Sequence, residues 1–234
     1  MATYLDLAKA NDTIRHEQLV NKLETIRIQE TAQQWFRSYL TVRTQRTKIG
    51  STCNQKATIH CGILQGTILS ALLFNIYAND IISLSLDSTI IAHADDTVLV
   101  TITNTWEETY EIAAMDLKTI HNHLEYHWLT LNTKKTTYTT YKATSNEKLQ
   151  IQSIHMKIHR CQRARERYQC DDSSKNKIQK YSGIIIDEQL KWKEHIELTV
   201  KKLRKLMHPL YNLSQIVETQ PMKAVYFALA HSII

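Results

Sequence analysis

The sequence predicts an α+β fold in which helices pack against one face of an antiparallel sheet. Two observations lead to this prediction. Short β-prone runs are interspersed with longer runs of helical periodicity, and several β-prone runs are separated by turns of hairpin length. The 234 residues, of which 43% are hydrophobic and 22% charged, allow one domain or a domain plus a small appendage, with enough length for a core.

The first part of the chain is predicted to form one strand, TYLDL, followed by two helices. In RHEQLVNKLETIRI, helical spacing relates Leu19, Leu23 and Ile26. In ETAQQWFRSYL, the same spacing relates Ala32, Trp35, Phe36, Tyr39 and Leu40. The segments RTKIG and KATIHCG are expected to pair as strands, and TILSALLFNIYANDIISL is expected to be a strongly apolar helix.

The central segment STIIAHADDTVLVTI predicts a strand, a turn made of Asp95 and Asp96, and a second strand. A long helix is expected from about Trp106 to Leu129. Its predicted core stripe consists of Ala113, Leu117, Ile120, Leu124 and Trp128.

The last part of the chain is predicted to contain the strands TTYTTYK, LQIQSIHMKI and YSGIIID, followed by basic helices from Lys191. The polar segment from Arg160 to Lys180 is expected to be a mobile surface loop. Because proline disrupts helices, breaks are predicted near Pro209 and near Pro221.

Composition excludes several classes of protein. No apolar run is long enough to span a bilayer, and the N-terminal segment contains an acidic residue, so neither a membrane protein nor a signal peptide is expected. The four cysteines form no C-x-x-C pair, which favours reduced thiols in an intracellular protein of the cytoplasm or nucleus, without a disulfide partner or a zinc framework. The net charge of +6 is compatible with an anionic partner such as nucleic acid.

Glycine is rare, with four residues in the chain, and two of them, Gly62 and Gly66, bracket GILQG. We expect these glycines where a positive φ or a close backbone approach is needed. CGILQGTILSALLF therefore predicts a tight loop that leads into a helix, whose free N–H groups suit a phosphate or a nucleotide edge. A plain helix-entry turn is the alternative.

Five motifs follow one another along nearly the whole chain, from residue 3 to residue 234: YLDLAKANDTIRHEQL, CGILQGTILSALLFNIYANDI, AHADDTVLV, HWLTLNTKKTTY and YSGIIIDEQLKWKEHI. In this order and spacing they resemble the reverse transcriptases of non-LTR retrotransposons, especially the jockey-like elements of animals. The resemblance implies a polymerase palm, an antiparallel sheet backed by helices, in residues 1–190 and the start of a helical thumb in residues 191–234.

The resemblance also implies a catalytic site for RNA-directed DNA synthesis. Asp6, Asp95 and Asp96 would bind two Mg²⁺ ions, which prefer carboxylate oxygens and would hold the attacking and leaving oxygens of nucleotidyl transfer. Lys135 would act as the general acid for the leaving pyrophosphate, with Lys134 as a substitute.

The remaining implied contacts are to substrates and nucleic acid: an RNA template, a DNA primer and deoxynucleoside triphosphates. Asn11 and the stretch Gln65, Gly66 and Thr67 would contact the incoming nucleotide. Tyr181 and Gly183 would belong to the hairpin that grips the primer. The basic residues implied to contact the nucleic-acid backbone are Lys201, Lys202, Arg204 and Lys205.

The chain departs from the family pattern at several positions. Asp6 is close to Met1, so the fingers region that precedes this motif in the family is expected to be absent, and the chain to be a truncated copy or a partial gene model. Asn11 replaces an aromatic residue, Leu64 replaces the proline of PQG, and His93 replaces the aromatic residue before ADD. Two alternatives to a polymerase therefore remain: a catalytically inactive palm that only binds nucleic acid, and a metal-dependent nuclease.

Overall fold

The computed structural model describes residues 1–41, 43–141, 157–160 and 169–233, with backbone only for residues 157–160 and 169–172. The described residues form two compact units, one within residues 1–138 and 150–175 and the other within residues 139–149 and 176–234. The helices are α1 (Ala10–Thr13), α2 (His16–Thr25), α3 (Glu30–Thr41), α4 (Ile68–Ala78), α5 (Trp106–Tyr126), α6 (Lys193–Ser214) and α7 (Thr219–Leu229), with 3₁₀ segments at Asn79–Ser83 and His231–Ile233.

The strands are short, and most pair with antiparallel neighbours. They are β1 (Ala2–Leu5), β2 (Leu7–Ala8), β3 (Thr44–Gln45), β4 (Lys48–Ile49), β5 (Thr52–Cys53), β6 (Ala57–Thr58), β7 (Thr89–His93), β8 (Asp96–Val100), β9 (Thr130–Leu131), β10 (Thr137–Thr139), β11 (Lys157–Arg160), β12 (Gln169–Asp172), β13 (Ser174–Lys175), β14 (Ile178–Tyr181) and β15 (Ile184–Asp187).

The first unit is built on a five-stranded sheet with the order β13-β10-β1-β8-β7. The β1–β8 and β7–β8 pairs are antiparallel, and the β10–β13 pair at the edge is parallel. Sheet residues such as Leu5 and Leu99 belong to one buried apolar cluster with helix residues such as Leu19, Leu73 and Leu117. The predicted α+β palm, an antiparallel sheet backed by helices, is therefore confirmed.

The predicted helices of the first unit are present, with a correction at the end of α5. Ala113, Leu117, Ile120 and Leu124 are buried as predicted. Trp128 lies beyond the helix with φ 58°, the residue is 38% exposed, and the guanidinium of Arg15 lies over its ring. The predicted core stripe was wrong at this position because the backbone turns out of the helix before it.

Two predicted β segments differ from the structure in their pairing. RTKIG and KATIHCG do not pair with each other along their length, since β4 pairs with β5 and β3 pairs with β6. The segment from Arg160 to Lys180 is not one loop, because β12 pairs with β11 and the strands β13 and β14 follow it. Cross-strand pairing between polar segments leaves no hydrophobic alternation that could reveal it in the sequence. Most of the predicted strand LQIQSIHMKI lies outside the described residues.

The second unit contains the β14–β15 hairpin and the helices α6 and α7. The predicted break near Pro209 was wrong, since α6 continues through it; a proline removes only one of the hydrogen bonds of this 22-residue helix. The break lies instead at residues 215–218, between the two helices. Pro221 is in the first turn of α7, where a missing N–H costs no helical hydrogen bond.

Candidate functional site

The turn of the hairpin that carries Asp95 and Asp96 lies one residue earlier than the sequence predicted. His93 of β7 pairs directly with Asp96 of β8, so the turn consists of Ala94 and Asp95, and Asp96 already belongs to the strand. Ala94 has φ 54°, a left-handed conformation that costs a non-glycine residue roughly 1–2 kcal/mol. Such local strain is typical of functional turns. The turn presents Asp95 and Asp96 as exposed side chains.

Asp6 lies at the same end of the sheet as this hairpin. Leu5, the last residue of β1, pairs with Thr97, so the next position of the register sets Asp6 opposite Asp96. Leu5 and Leu99 belong to the core cluster, and side chains alternate along a strand. Asp6 and Asp96 therefore occupy register positions on the sheet face opposite to that of Leu5 and Leu99.

The chemistry of these side chains fits a divalent cation, because Mg²⁺ prefers carboxylate oxygens. Asp6 is half-buried, Asp95 and Asp96 are exposed, and the ion pairs found among the described residues involve none of the three. Within the described parts of the chain, however, no three His, Cys, Asp or Glu side chains are grouped so that they could hold a metal ion. The carboxylates thus share one end of the sheet without forming a preassembled metal site.

The turn with Lys134 and Lys135 is bound to the backbone of Asp6. The N–H of Asp6 donates to Oγ1 of Thr136 at 3.3 Å, and the N–H of Asn132 donates to the carbonyl oxygen of Asp6 at 2.7 Å. Both lysines are exposed in this turn, whose strand β9 pairs with β2 immediately after Asp6. The fold therefore brings the predicted general acid and the first predicted metal ligand into neighbouring segments.

The GILQG loop packs against the segment that contains Asn11. Gly62 has φ 86°, and a Cβ atom there would meet the carbonyl oxygen of Asp12 at 3.0 Å, so only glycine fits without strain. The N–H of Ile63 donates to the carbonyl oxygen of Asn11 at 2.9 Å, and Nε2 of Gln65 donates to Oδ1 of Asp12 at 3.1 Å. The structure thus places Asn11 beside the loop with which it was predicted to act.

The end of this loop has the predicted form of a helix entry. Gly66 has φ 82°, and no atom lies within 4 Å of the position that a Cβ atom would occupy, so its glycine serves the turn alone. The Oγ1 atom of Thr67 caps α4 by accepting from the N–H of Ser70 at 3.2 Å. Gln65, Gly66 and Thr67 are exposed. The loop is therefore accessible to a ligand, with the hydroxyl of Thr67 engaged in a cap.

A cavity of about 280 Å³ lies between the hairpin and the helices, with Thr97 and His127 in its lining. Burial, the ammonium of Lys22 and the ring of His123 lower the pKa of His127 to about 4. Burial and Lys22 also lower the pKa of His123. Both imidazoles are neutral near pH 7, so neither adds positive charge beside the carboxylates of the hairpin.

The remaining predicted contacts belong to the second unit. Tyr181 is half-buried at the end of β14, and Gly183, with φ 85°, is in the turn of the β14–β15 hairpin. The basic residues predicted to contact nucleic acid are all exposed on α6: Lys201, Lys202, Arg204 and Lys205. Position 203, which lies between them, is partly buried.

Three positioning residues were not predicted from the sequence. Thr136 receives the N–H of Asp6, Asp12 receives the amide of Gln65, and Nε2 of His16 is 2.8 Å from the carbonyl oxygen of Gly62. Thr136 and Asp12 lie inside motifs that the sequence analysis identified, and this location was the only signal of a role. His16 also lies inside such a motif, but its contact joins residues 46 positions apart, and nothing in the sequence indicated that partner.

Among the described residues, no helix combines the length and the apolar character needed to cross a bilayer. The structure is similar to an apo telomerase from Candida tropicalis truncated from its C-terminal domain, at 12% identity and a TM-score of 0.49, over 80% of this chain and 33% of that chain. It is also similar to the telomerase from Candida albicans in complex with a TWJ fragment of telomeric RNA, at 16% identity and a TM-score of 0.46, over 58% of this chain and 27% of that chain.

This chain thus spans about a third or less of the length of these two proteins. No curated protein matches it. Residues 1–192, which include the sheet, the hairpin of Asp95 and the GILQG loop, match the family described as reverse transcriptase (RNA-dependent DNA polymerase). The chain belongs to the reverse transcriptase family, whose members are RNA-directed DNA polymerases.

Proposed function

We propose that the chain is the polymerase part of a reverse transcriptase of a non-LTR retrotransposon, of the jockey-like kind, with a palm in residues 1–190 and the start of a thumb in residues 191–234. The observation that carries the proposal is the pairing of Leu5 with Thr97, which places Asp6 at the same end of the sheet as Asp96 and the turn of Asp95. The retrotransposon assignment rests on the order and spacing of the sequence motifs. The substrates are an RNA template, a DNA primer and deoxynucleoside triphosphates.

In this proposal each carboxylate and lysine has a defined role. Asp6, Asp95 and Asp96 supply oxygen ligands for divalent ions. Two bound Mg²⁺ ions would stabilise the charge on the attacking and leaving oxygens. Lys135, in the turn bound to Asp6, donates a proton to the leaving pyrophosphate, with Lys134 as its substitute.

The remaining residues position the substrates. Asn11, Gln65, Gly66 and Thr67 contact the incoming nucleotide from the loop and the segment against which it packs. Tyr181 and Gly183 hold the primer strand through the β14–β15 hairpin. The basic residues of α6 bind phosphates: Lys201, Lys202, Arg204 and Lys205.

Extension of a DNA primer on an RNA template tests this function. We expect incorporation that requires Mg²⁺, is lost in Asp95→Asn and is retained in Glu111→Gln, which removes an exposed carboxylate from α5. Absence of incorporation by the unmodified chain, or full activity of Asp95→Asn, would contradict the proposal.

The second candidate function is nucleic-acid binding by a palm without catalysis. It is favoured by the observation that the three carboxylates are not grouped into a metal site within the described residues. Filter binding to the same template and primer in EDTA separates the two functions. Binding without any Mg²⁺-dependent extension supports the second, and extension that depends on Asp95 excludes it.

A further inference from the structure

Between α3 and the GILQG loop the chain forms a narrow two-stranded segment, residues 44–58, which we call the basic ribbon. β3 pairs with β6, and β4 pairs with β5 inside that pair. Every residue of the basic ribbon is exposed. Its side chains therefore contribute little to the core and are available for contacts with a partner.

The charge of the basic ribbon is of one sign. It carries Arg46, Lys48 and Lys56, and residues 31–79 contain no Asp or Glu, although the chain has 23 acidic residues. The ion pairs found among the described residues do not involve these three cations. A basic segment that is only solvated would gain nothing from excluding acids over so long a stretch, whereas a surface for a polyanion would.

The strand pairing brings the three cations of the basic ribbon close to one another. Thr44 pairs with Thr58 and Gln45 with Ala57, so the next position sets Arg46 opposite Lys56. By register, Arg46 and Lys56 are therefore cross-strand neighbours, and Lys48 lies two residues further along, in the β4–β5 pair, whose register is offset by one residue from that of the β3–β6 pair.

The base of the basic ribbon is fixed to the loop described above. The N–H of Ile59 donates to the carbonyl oxygen of Arg43 at 2.9 Å, and Nη1 of Arg43 donates to the carbonyl oxygen of Gly62 at 3.3 Å. Gly62 begins the GILQG loop, so the basic ribbon is anchored at the edge of the candidate site. A nucleic-acid strand that reaches the GILQG loop therefore passes close to the base of the basic ribbon.

We propose that the basic ribbon binds the phosphodiester backbone of nucleic acid through Arg46, Lys48 and Lys56. Contacts to phosphates carry no sequence information, so the binding is independent of sequence. Residues 44–58 contain no aromatic side chain on which a base could stack, so the cations alone provide it. The inference deepens the proposed function, on which it rests for the class of its partner, by adding a second phosphate-binding surface that requires neither metal nor nucleotide.

Binding to an unpaired 20-nucleotide RNA, measured in EDTA at several salt concentrations, tests the proposal. The variant carrying Arg46→Gln, Lys48→Gln and Lys56→Gln should bind more weakly. The logarithm of the binding constant falls linearly with the logarithm of the salt concentration, and each phosphate contact on a single strand contributes about −0.7 to this slope. Loss of three contacts should therefore make the slope less negative by about 2. Because the substituted side chains are exposed, we expect an unchanged circular dichroism spectrum.

Two matched variants complete the experiment. The scattered variant removes the same charge from exposed positions outside the basic ribbon through Arg27→Gln, Lys118→Gln and Lys223→Gln. It should change the slope by less than the value of about 0.7 that one phosphate contact contributes. The second variant keeps the charge of the basic ribbon through Arg46→Lys, Lys48→Arg and Lys56→Arg. It should show the same salt dependence of RNA binding as the unmodified chain. Equal slopes for the ribbon variant and the scattered variant would overturn the proposal, as would a lack of RNA binding by the unmodified chain. Failure of Mg²⁺-dependent extension would leave it standing, because binding is measured without metal.

Discussion

Two groups of aspartates in this chain differ in what surrounds their carboxylates. Asp116 and Asp187 are 5% and 8% exposed and accept hydrogen bonds from backbone N–H groups. Asp95 and Asp96 are exposed beside Asp6 at the end of the sheet, and no hydrogen bond to their carboxylates is found within the described residues. The first group is part of the folded framework, and the second is free to receive a ligand.

The buried aspartates each fix a junction between elements. On α5, the Oδ2 atom of Asp116 accepts from the N–H of Ser88 at 2.8 Å and Oδ1 accepts from the N–H of Asp87 at 3.3 Å, which holds the entry to β7. At the end of β15, Asp187 accepts from the N–H groups of Gln189, Lys191 and Trp192 at 2.7–3.1 Å, which holds the entry to α6.

The different surroundings of the two groups of carboxylates give them different roles, one in stability and the other in ligand binding. Backbone donors stabilise a buried carboxylate and satisfy N–H groups that would otherwise lack a partner. Neighbouring exposed carboxylates without donors repel one another and contribute nothing to folding unless a cation binds. Substitutions in the two groups should therefore affect different measurements.

The largest effect should come from the exposed group and concern activity. We expect Asp96→Asn to reduce primer extension on the order of 10²–10³-fold, as does the loss of one electrostatic contact in other active sites. The free energy of unfolding in urea should stay the same or rise slightly, because one of the repelling charges is removed. A variant that loses stability and activity together would show that Asp96 belongs with the structural group.

The next effect concerns Asp116 and stability. Asp116→Ala leaves the N–H groups of Asp87 and Ser88 without their acceptor and should lower the free energy of unfolding by about 2–3 kcal/mol. Asp116→Asn keeps one acceptor oxygen and should cost less. Urea unfolding of both variants measures this ranking, and equal losses would indicate that the charge, not the acceptor, matters.

The effect of Asp187 should be smaller and should depend on pH. Burial raises the pKa of Asp187, whereas the backbone N–H donors lower it. The net effect is a pKa below its ordinary value. The folded state then binds fewer protons than the unfolded state. The stabilisation is therefore complete above the unfolded pKa of about 3.9 and is lost as pH falls through the lower folded value.

Asp187→Asn should thus be less stable than the unmodified chain at pH 6, and the two stabilities should converge as pH falls below the unfolded pKa of about 3.9 and through the lower folded value. Thermal unfolding between pH 6 and pH 2, followed by circular dichroism, checks this prediction. The loss should be smaller than that of Asp116→Ala, because α6 and α7 have no buried side chains and unfold locally at low cost. A constant difference at every pH would contradict it.

The sequence predicted most of the fold of the first unit because its signals are local. Helical periodicity identified the buried residues Leu19 and Leu23 of α2 and the buried stripe of α5, and apolar composition identified α4. The β-branched runs around Asp95 identified the β7–β8 hairpin. The pairings of β3 with β6 and of β11 with β12 were missed, since they join polar segments without a hydrophobic pattern.

The candidate site was predictable to a similar degree. The motifs identified Asp6 and the GILQG loop; in the structure Asp6 lies at the same end of the sheet as Asp96, and the loop packs against the segment of Asn11, while their predicted roles stay predictions. The turn of Ala94 and Asp95 was assigned one residue late, because the register depends on cross-strand pairs rather than on turn propensity. The contact between His16 and Gly62 could not be predicted, since it forms only when α2 packs on the loop.

Asp12 lies between the two groups of aspartates and gives the most discriminating test of the comparison. It is exposed like the aspartates of the site, yet its Oδ1 atom holds the amide of Gln65. Because it is exposed, Asp12→Ala should change the free energy of unfolding by less than about 0.5 kcal/mol. Without this contact Gln65 is less well positioned, so KM for the nucleotide should rise by roughly 2–10-fold, the equivalent of one hydrogen bond, with little change in kcat.

Two further variants decide whether Asp12 acts through Gln65. Asp12→Asn keeps the acceptor oxygen and should retain KM near that of the unmodified chain. In a double-mutant cycle, Asp12→Ala should have no additional effect on KM once Gln65→Ala is present, because the two side chains form one unit. Additive effects of the two substitutions would instead mean that Asp12 influences the nucleotide by its charge, which would place it with Asp6, Asp95 and Asp96.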